Sequence, residues 1–326
     1  MKTSRRRTLA LLAGLPLLGT AHGQSAGTYP NKPIKLIVPY PVGGQTDATA
    51  RVFAQKAEAA LGQPIVVENK VGANSQIGTQ FVATAPADGY TLLFNMTALV
   101  INPILLPNVP YDAFRDFTPV FRAYELMAIL ATPPEVPVKT LADFAAFAKA
   151  SKVPVTYGTA GHASSSHYFG ETFARASGVQ MNHIPYKGEA ALLPDLMSGR
   201  VQSGFISGMA AKQMGGDGRL RLLATSGYRR LKAFPDLPTF KELGIAGVGN
   251  ESFAGFFAPA GTPKAIVERL SLEFGKVAQM PEVRERIESY GLEPCPPAPP
   301  EAFLAVMRRA QEEWVAIAKN SNIKLE

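Results

Sequence analysis

The sequence predicts an α/β protein of two lobes, and three observations carry that prediction. Short apolar runs alternate with segments of helical period along the chain. The length of 326 residues exceeds ordinary single-domain size even after a leader is set aside. The chain is expected to leave the first lobe near Phe121 to Ala131 and to return near Phe253 to Ala258. Two crossings without a flexible linker fit a hinge around a cleft. The expected division is residues 24–124 with 252–326 in one lobe and 125–251 in the other.

Each element follows from local chemistry. Ile34 to Val38 reads as a strand, stopped by Pro39 and Pro41. Thr46 to Leu61 reads as a helix, with Ala50, Phe53, Ala54, Ala57 and Leu61 at helical spacing and Gly62 and Pro64 as terminators. Ile65 to Val67 is a strand and Gln76 to Ala85 a helix; Tyr90 to Phe94 is a strand after an Asp88-Gly89 turn. Thr140 to Ala150 is a helix, with Thr140 as cap and Asp143 three residues on. Val153 to Tyr157 is a strand, and Ser165 to Ala176 a helix closed by Gly178. Asn182 to Tyr186 and Val201 to Ile206 are strands around a helix with Leu192, Leu193, Leu196 and Met197. Leu220 to Thr225 follows, and Ile266 to Ala278, Pro281 to Tyr290 and Pro300 to Ala318 read as three terminal helices. The aromatic cluster Phe253, Phe256 and Phe257 suits a strand passing between lobes and equally suits a packed core.

Residues 1–23 read as a signal peptide. Lys2, Arg5, Arg6 and Arg7 precede an apolar run from Thr8 to Gly19, then small residues, a run too short to span a bilayer. Ser4-Arg5-Arg6 with Leu9 also resembles a twin-arginine signal, so both general and twin-arginine export are open. Removing this stretch takes four of the 33 basic residues and none of the 26 acidic ones, leaving an excess of three. So mild an excess excludes a nucleic-acid partner, which needs a concentrated basic face. The lone cysteine, Cys295, lies in a Pro-rich stretch that reads as a loop and excludes an internal disulfide.

The loop from Pro39 through Tyr40, Pro41, Val42, Gly43, Gly44 and Gln45 to Thr46 and Asp47 joins a strand to a helix. Loops at the carboxyl ends of strands are where open α/β sheets bind ligands. Gly43 and Gly44 allow a tight turn, and the first helical turn offers N–H groups without intrahelical partners beside a positive dipole end. That makes an anion site without a fixed cation; Thr46 and Asp47 fit a plain cap and first-turn acid as well. No nucleotide-binding glycine motif is present.

The second lobe repeats the idea. Tyr157-Gly158-Thr159-Ala160-Gly161-His162-Ala163-Ser164-Ser165-Ser166-His167 follows a strand and opens a helix. One serine can cap; three in a row leave two for a ligand. Asn95-Met96-Thr97 and Tyr186-Lys187-Gly188 follow further strands, and Lys187 is a fixed cation for the cleft or a solvated turn lysine. His162, His167 and His183 carry no metal-site spacing and one cysteine cannot complete a zinc cluster, so no metal or other cofactor is expected. An exported hydrolase using Ser164 to Ser166 is the alternative reading, weakened by the lack of a GxSxG elbow.

These residues carry a family resemblance. Tyr29-Pro30, the Pro-x-Gly-Gly-x-Thr-Asp loop from Pro41 to Asp47, Val67-Glu68-Asn69, and Pro86-Ala87-Asp88-Gly89-Tyr90 stand in order, followed by Ser165-Ser166-His167, His183-Ile184-Pro185-Tyr186-Lys187-Gly188 and Pro235-Asp236-Leu237-Pro238. The chain resembles the Bug family of periplasmic solute-binding receptors of tripartite tricarboxylate transporters. The resemblance implies a type II periplasmic-binding-protein fold that closes on a small carboxylate, catalyses nothing and delivers its cargo as a monomer to membrane permease subunits. It implies ligand contacts from Tyr40, Gly43, Gly44, Thr46 and Asp47, and from Ala160, Gly161, Ser164, Ser165 and Ser166. Asn95, Thr97, His162, Tyr186 and Lys187 complete the expected site. Asn74-Ser75, Asn95 to Thr97 and His162-Ala163 depart from the family pattern and are expected to tune which carboxylate binds.

Overall fold

A computed structural model describes residues 29–162, 164–249 and 252–319; the signal segment expected at 1–23 lies outside them. In chain order the elements begin β1 (Ile34–Val38), α1 (Gln45–Leu61), β2 (Ile65–Asn69), α2 (Gln76–Ala83), β3 (Thr91–Met96), α3 (Ala98–Leu105) and β4 (Phe117–Glu125). The chain then enters β5 (Ala128–Thr132), α4 (Leu141–Ala150), β6 (Val155–Thr159), α5 (Ser165–Ser177), β7 (Met181–Pro185), α6 (Glu189–Met197), β8 (Ser203–Ser207), α7 (Gly208–Gly215) and β9 (Arg221–Thr225). It returns through β10 (Ala254–Pro259) to α8 (Lys264–Gln279), α9 (Pro281–Ser289), β11 (Glu293–Pro294) and α10 (Pro300–Lys319).

Two mixed sheets result. The first has the order β11-β4-β10-β3-β1-β2 and the second β7-β6-β8-β5-β9. In the first, β1 runs parallel to β2 and β3 while β10 is antiparallel to β3 and β4. In the second, β6 is parallel to β7 and β8 while β5 is antiparallel to β8 and β9.

Local signals in the sequence act as expected. Thr140 and Asp143 form a reciprocal capping box at α4. Gly62 and Gly178 close α1 and α5 with left-handed backbone, which glycine adopts without steric penalty. Phe253, Phe256 and Phe257 are fully buried, and Phe256 stacks on Phe274 with ring centroids 4.0 Å apart. The Pro-rich stretch read as a loop instead contributes the short edge strand β11. Glu293 and Pro294 pair with β4, and the buried Cys295 donates its N–H to the Ala123 carbonyl.

The strand registers set the relation of the two sheets. At one edge of the first sheet, Met96 at the carboxyl end of β3 stands opposite Ala254, which stands opposite Tyr124 near the end of β4. At the matching edge of the second, Ala128 at the start of β5 stands opposite Ser207 at the carboxyl end of β8. Only Leu126 and Met127 separate β4 from β5, a reach of about 7 Å per pair of extended residues. The carboxyl edges of the parallel strands in both sheets therefore face one another across the crossing. The return crossing is pinned beside it: Thr97 Oγ1 accepts from Phe253 N at 2.9 Å, and Arg122 Nη2 donates to Ser252 O at 2.9 Å.

The two sheets also share a helical link. Trp314, near the end of α10, lies in the second lobe's core, edge-on to Tyr168 at 5.7 Å and tilted against Phe169 at 5.8 Å. Ile101 and Leu105 of α3 join the same cluster. Helix α10 thus spans both lobes, a third connection beyond the two strand crossings. Trp314→Ala should cost about 3–5 kcal/mol in urea unfolding, because a ring that size leaves a cavity the core cannot fill. A loss below about 1 kcal/mol would show that the end of α10 is not docked there.

Candidate ligand-binding cleft

In the first lobe the loop from Tyr40 to Gln45 hangs from the carboxyl end of β1 and opens α1. Gly43 has φ +80, a left-handed backbone that glycine tolerates. Gly44 is the N-cap of α1, and no side chain caps that end. The N–H groups of Gln45, Thr46 and Asp47 are therefore the orphan donors of a 17-residue helix, beside its positive dipole end. Gly43 and Gly44 are exposed there.

Asp47 braces this loop from beneath. Its buried carboxylate accepts from Gly43 N at 2.9 Å, Asn69 Nδ2 at 2.9 Å and Arg51 Nε at 3.0 Å. Asn69 Nδ2 also donates to Tyr40 O, and Arg51 Nη2 donates to Asn69 Oδ1. Burial pushes the Asp47 carboxyl up, but the donors from Arg51, Gly43 and Asn69 together outweigh it and hold the group below the usual carboxylate range. The acid expected among the ligand contacts thus spends its acceptors on holding the glycine turn.

Several other expected residues are turned to framework duty. Tyr40 donates to Asn95 Oδ1 at 2.7 Å, and the fully buried Asn95 donates through Nδ2 to Thr79 Oγ1. Thr46 Oγ1 lies 3.3 Å from Met96 Sδ. Thr97 spends its hydroxyl on the return crossing at Phe253. The segment in which Asn74-Ser75 depart from the family pattern is strained: Ala73, Asn74 and Ser75 have φ values of +45, +51 and +71. Non-glycine residues held in that region store strain, a feature concentrated at functional sites. Asn102 Nδ2 holds the turn by donating to Asn74 O at 2.7 Å, with Asn74 Nδ2 answering to Asn102 Oδ1.

In the second lobe the loop from Ala160 to Ser164 follows β6, and Gly188 N ties it to the turn after β7 by donating to Ala160 O. Ser164 caps α5 by accepting from His167 N, donates to Gly161 O at 2.7 Å, and lies 2.9 Å from Ser166 Oγ. Ser165 is half-buried at the helix start, while Ala160 and Lys187 are exposed. Tyr186 points its hydroxyl to Asp195 Oδ2 at 2.9 Å. Among these serines no side chain bonds a histidine ring in the described residues, so the hydrolase reading gains no support.

The three histidines, separated in sequence, come together behind this loop. His167 and His183 stack with centroids 3.6 Å apart and planes 12° from parallel, and His162 lies 5.0 Å from His167. Burial, reinforced by the neighbouring rings, lowers His167 to about 3; burial and His162 lower His183 to about 4.

The lobes touch across the cleft mouth. Met209 N at the start of α7 donates to Gln45 Oε1 at the start of α1, at 3.4 Å. Gly208 lies so close to Gly291 that a Cβ on Gly208 would stand 2.2 Å from the Gly291 carbonyl oxygen.

The family model described as "Tripartite tricarboxylate transporter family receptor" matches residues 49–321. The chain belongs to that receptor family. A curated member from Bordetella pertussis, BugT, is 33% identical over 310 residues, covering 94% of this chain and 95% of its own. Among solved structures, a Rhodopseudomonas palustris protein with adipate superposes with TM-score 0.84 at 29% identity, over 91% of this chain and all of its own. MatC from the same organism, with bound malate, gives 0.79 at 28% identity over 89% of this chain and all of its own. The two-lobed α/β fold and the solute-binding class follow from membership. No helix among the described residues is long and apolar enough to cross a membrane.

The Asp47 brace makes a pH prediction. A carboxylate depressed in the folded state contributes stability that is fully present above its unfolded pKa of about 3.9 and is lost as pH falls through the folded value. The stability gap between wild type and Asp47→Asn should hold constant from about pH 8 to 5 and shrink below about pH 4. Urea titrations at each pH read it; a gap unchanged through the acid range would contradict the brace.

Proposed function

We propose that this chain is an exported periplasmic receptor that closes on a small carboxylate and delivers it, unchanged, to membrane permease subunits. The observation that carries the proposal is the uncapped N-terminus of α1, which meets the start of α7 across the crossing. Backbone donors of Gln45 and Thr46 receive one carboxylate, with Gly43 and Gly44 letting the anion approach the backbone closely. Ser165, Ser166, Gly161 and Ala160 of the second lobe add donors once the lobes meet. That two Rhodopseudomonas palustris relatives hold adipate and malate supports a small dicarboxylate as the cargo. The ligand drives closure by its extra contacts in the closed state, with no chemical step and with one chain sufficient.

Thermal-shift melts of residues 24–326 against a carboxylate panel and matched amides test the reading. A ligand that binds the native state raises the midpoint by mass action. One carboxylate raising it, with its amide inert, is the expected result; a flat response across the panel would overturn the proposed clamp.

Closure itself has a separate test. Gly208 lies outside the left-handed region, so Gly208→Ala acts only through the close approach to Gly291. It should weaken carboxylate affinity by about tenfold or more, while the ligand-free midpoint stays within a few degrees of wild type. Unchanged affinity would show that this contact is not made in the bound state.

A further inference from the structure

We propose that His162, His167 and His183 form a three-nitrogen site for a borderline divalent transition metal such as Zn²⁺ or Co²⁺. One ligand-capable nitrogen from each lies within 4.8 Å of the others. Three imidazole nitrogens around a common ion at about 2.0–2.1 Å sit about 3.3 Å apart, so the set closes by a small contraction. The parallel stack of His167 on His183 opens by rotation about the terminal ring torsion, which is broad in histidine. Imidazole nitrogen without carboxylate selects this class of metal over calcium or magnesium.

The hydrogen bonds orient one ligand in advance. Thr159 has one hydroxyl proton, and its Oγ1 donates to Gly161 O at 3.0 Å. The same oxygen lies 2.6 Å from His183 Nε2, so a hydroxyl fixes the orientation of that ring and leaves Nδ1 as the nitrogen free of it. Glu171 Oε1, itself receiving the Tyr157 hydroxyl at 2.6 Å, lies 4.0 Å from His167 Nε2, near the ring but beyond hydrogen-bond range. His162 is exposed on the loop, which leaves a fourth position for water or a carboxylate oxygen. A metal there ties the loop bearing Ser164 to the edge strand β7, beside the proposed cleft.

The chain suits a clean test. Of its four histidines the fourth is His22, so a tag-free protein of residues 24–326 carries imidazole only at this site. After chelator treatment, equilibrium dialysis should show one Zn²⁺ per chain at micromolar concentration, and Co²⁺ should give a visible ligand-field spectrum. His162→Ala, at an exposed position that preserves the fold, should weaken Zn²⁺ binding by about tenfold or more and abolish any Zn²⁺-dependent rise in melting midpoint. No uptake by the wild type, or equal uptake by His162→Ala with an intact circular dichroism spectrum, would overturn the site. Carboxylate binding is read separately and can fail without affecting either result.

Discussion

The two-residue passage from β4 to β5 is the constraint on which the rest of the molecule depends. Leu126 and Met127 leave no slack, so the strand that ends at the carboxyl edge of one sheet begins the next at the carboxyl edge of the other. Loops at those edges cannot avoid facing one another. The return strand enters between β3 and β4 with its first residues fixed by Thr97 and Arg122, which makes the pair of crossings a double hinge. Helix α10, docked by Trp314 on the second lobe, adds a third connection beside that pair.

The proposed site holds an anion with almost no positive side-chain charge, and the geometry explains how. Charge near the first-lobe loop is spent inward: Arg51 and Asp47 neutralise each other while bracing the glycine turn. What faces the cleft is backbone N–H, fixed by that brace before any ligand arrives. Preorganised donors avoid the ordering entropy that long cationic side chains would lose on binding.

Much of this was legible in the sequence because it rests on local rules. Helix caps at Thr140, Gly62 and Gly178, the strand-to-loop positions of both glycine-bearing segments, and the central burial of Phe256 all follow from spacing and turn chemistry. What escaped depends on partners distant in the chain. Helix α3 carries Leu99-Val100-Ile101 in its first turn, which continues an apolar strand pattern, and contains Pro103; only tertiary packing makes it helical. Helix α7 is bounded by Gly208 and Gly215 and has no apolar stripe to read. The buried roles of Asp47, Asn95 and Thr97 are invisible because the same residues at a loop mouth read as ligand contacts. The histidine cluster is assembled by the pairing of β6 with β7, which no spacing rule encodes.

A co-crystal structure with a dicarboxylate tests the central claim most directly. The account predicts one ligand carboxylate within about 3 Å of the Gln45 and Thr46 amides, the hydrogen-bond range, and contacts to the same ligand from the Ser165–Ser166 segment. A ligand held wholly by one lobe, or seated away from the start of α1, would contradict it.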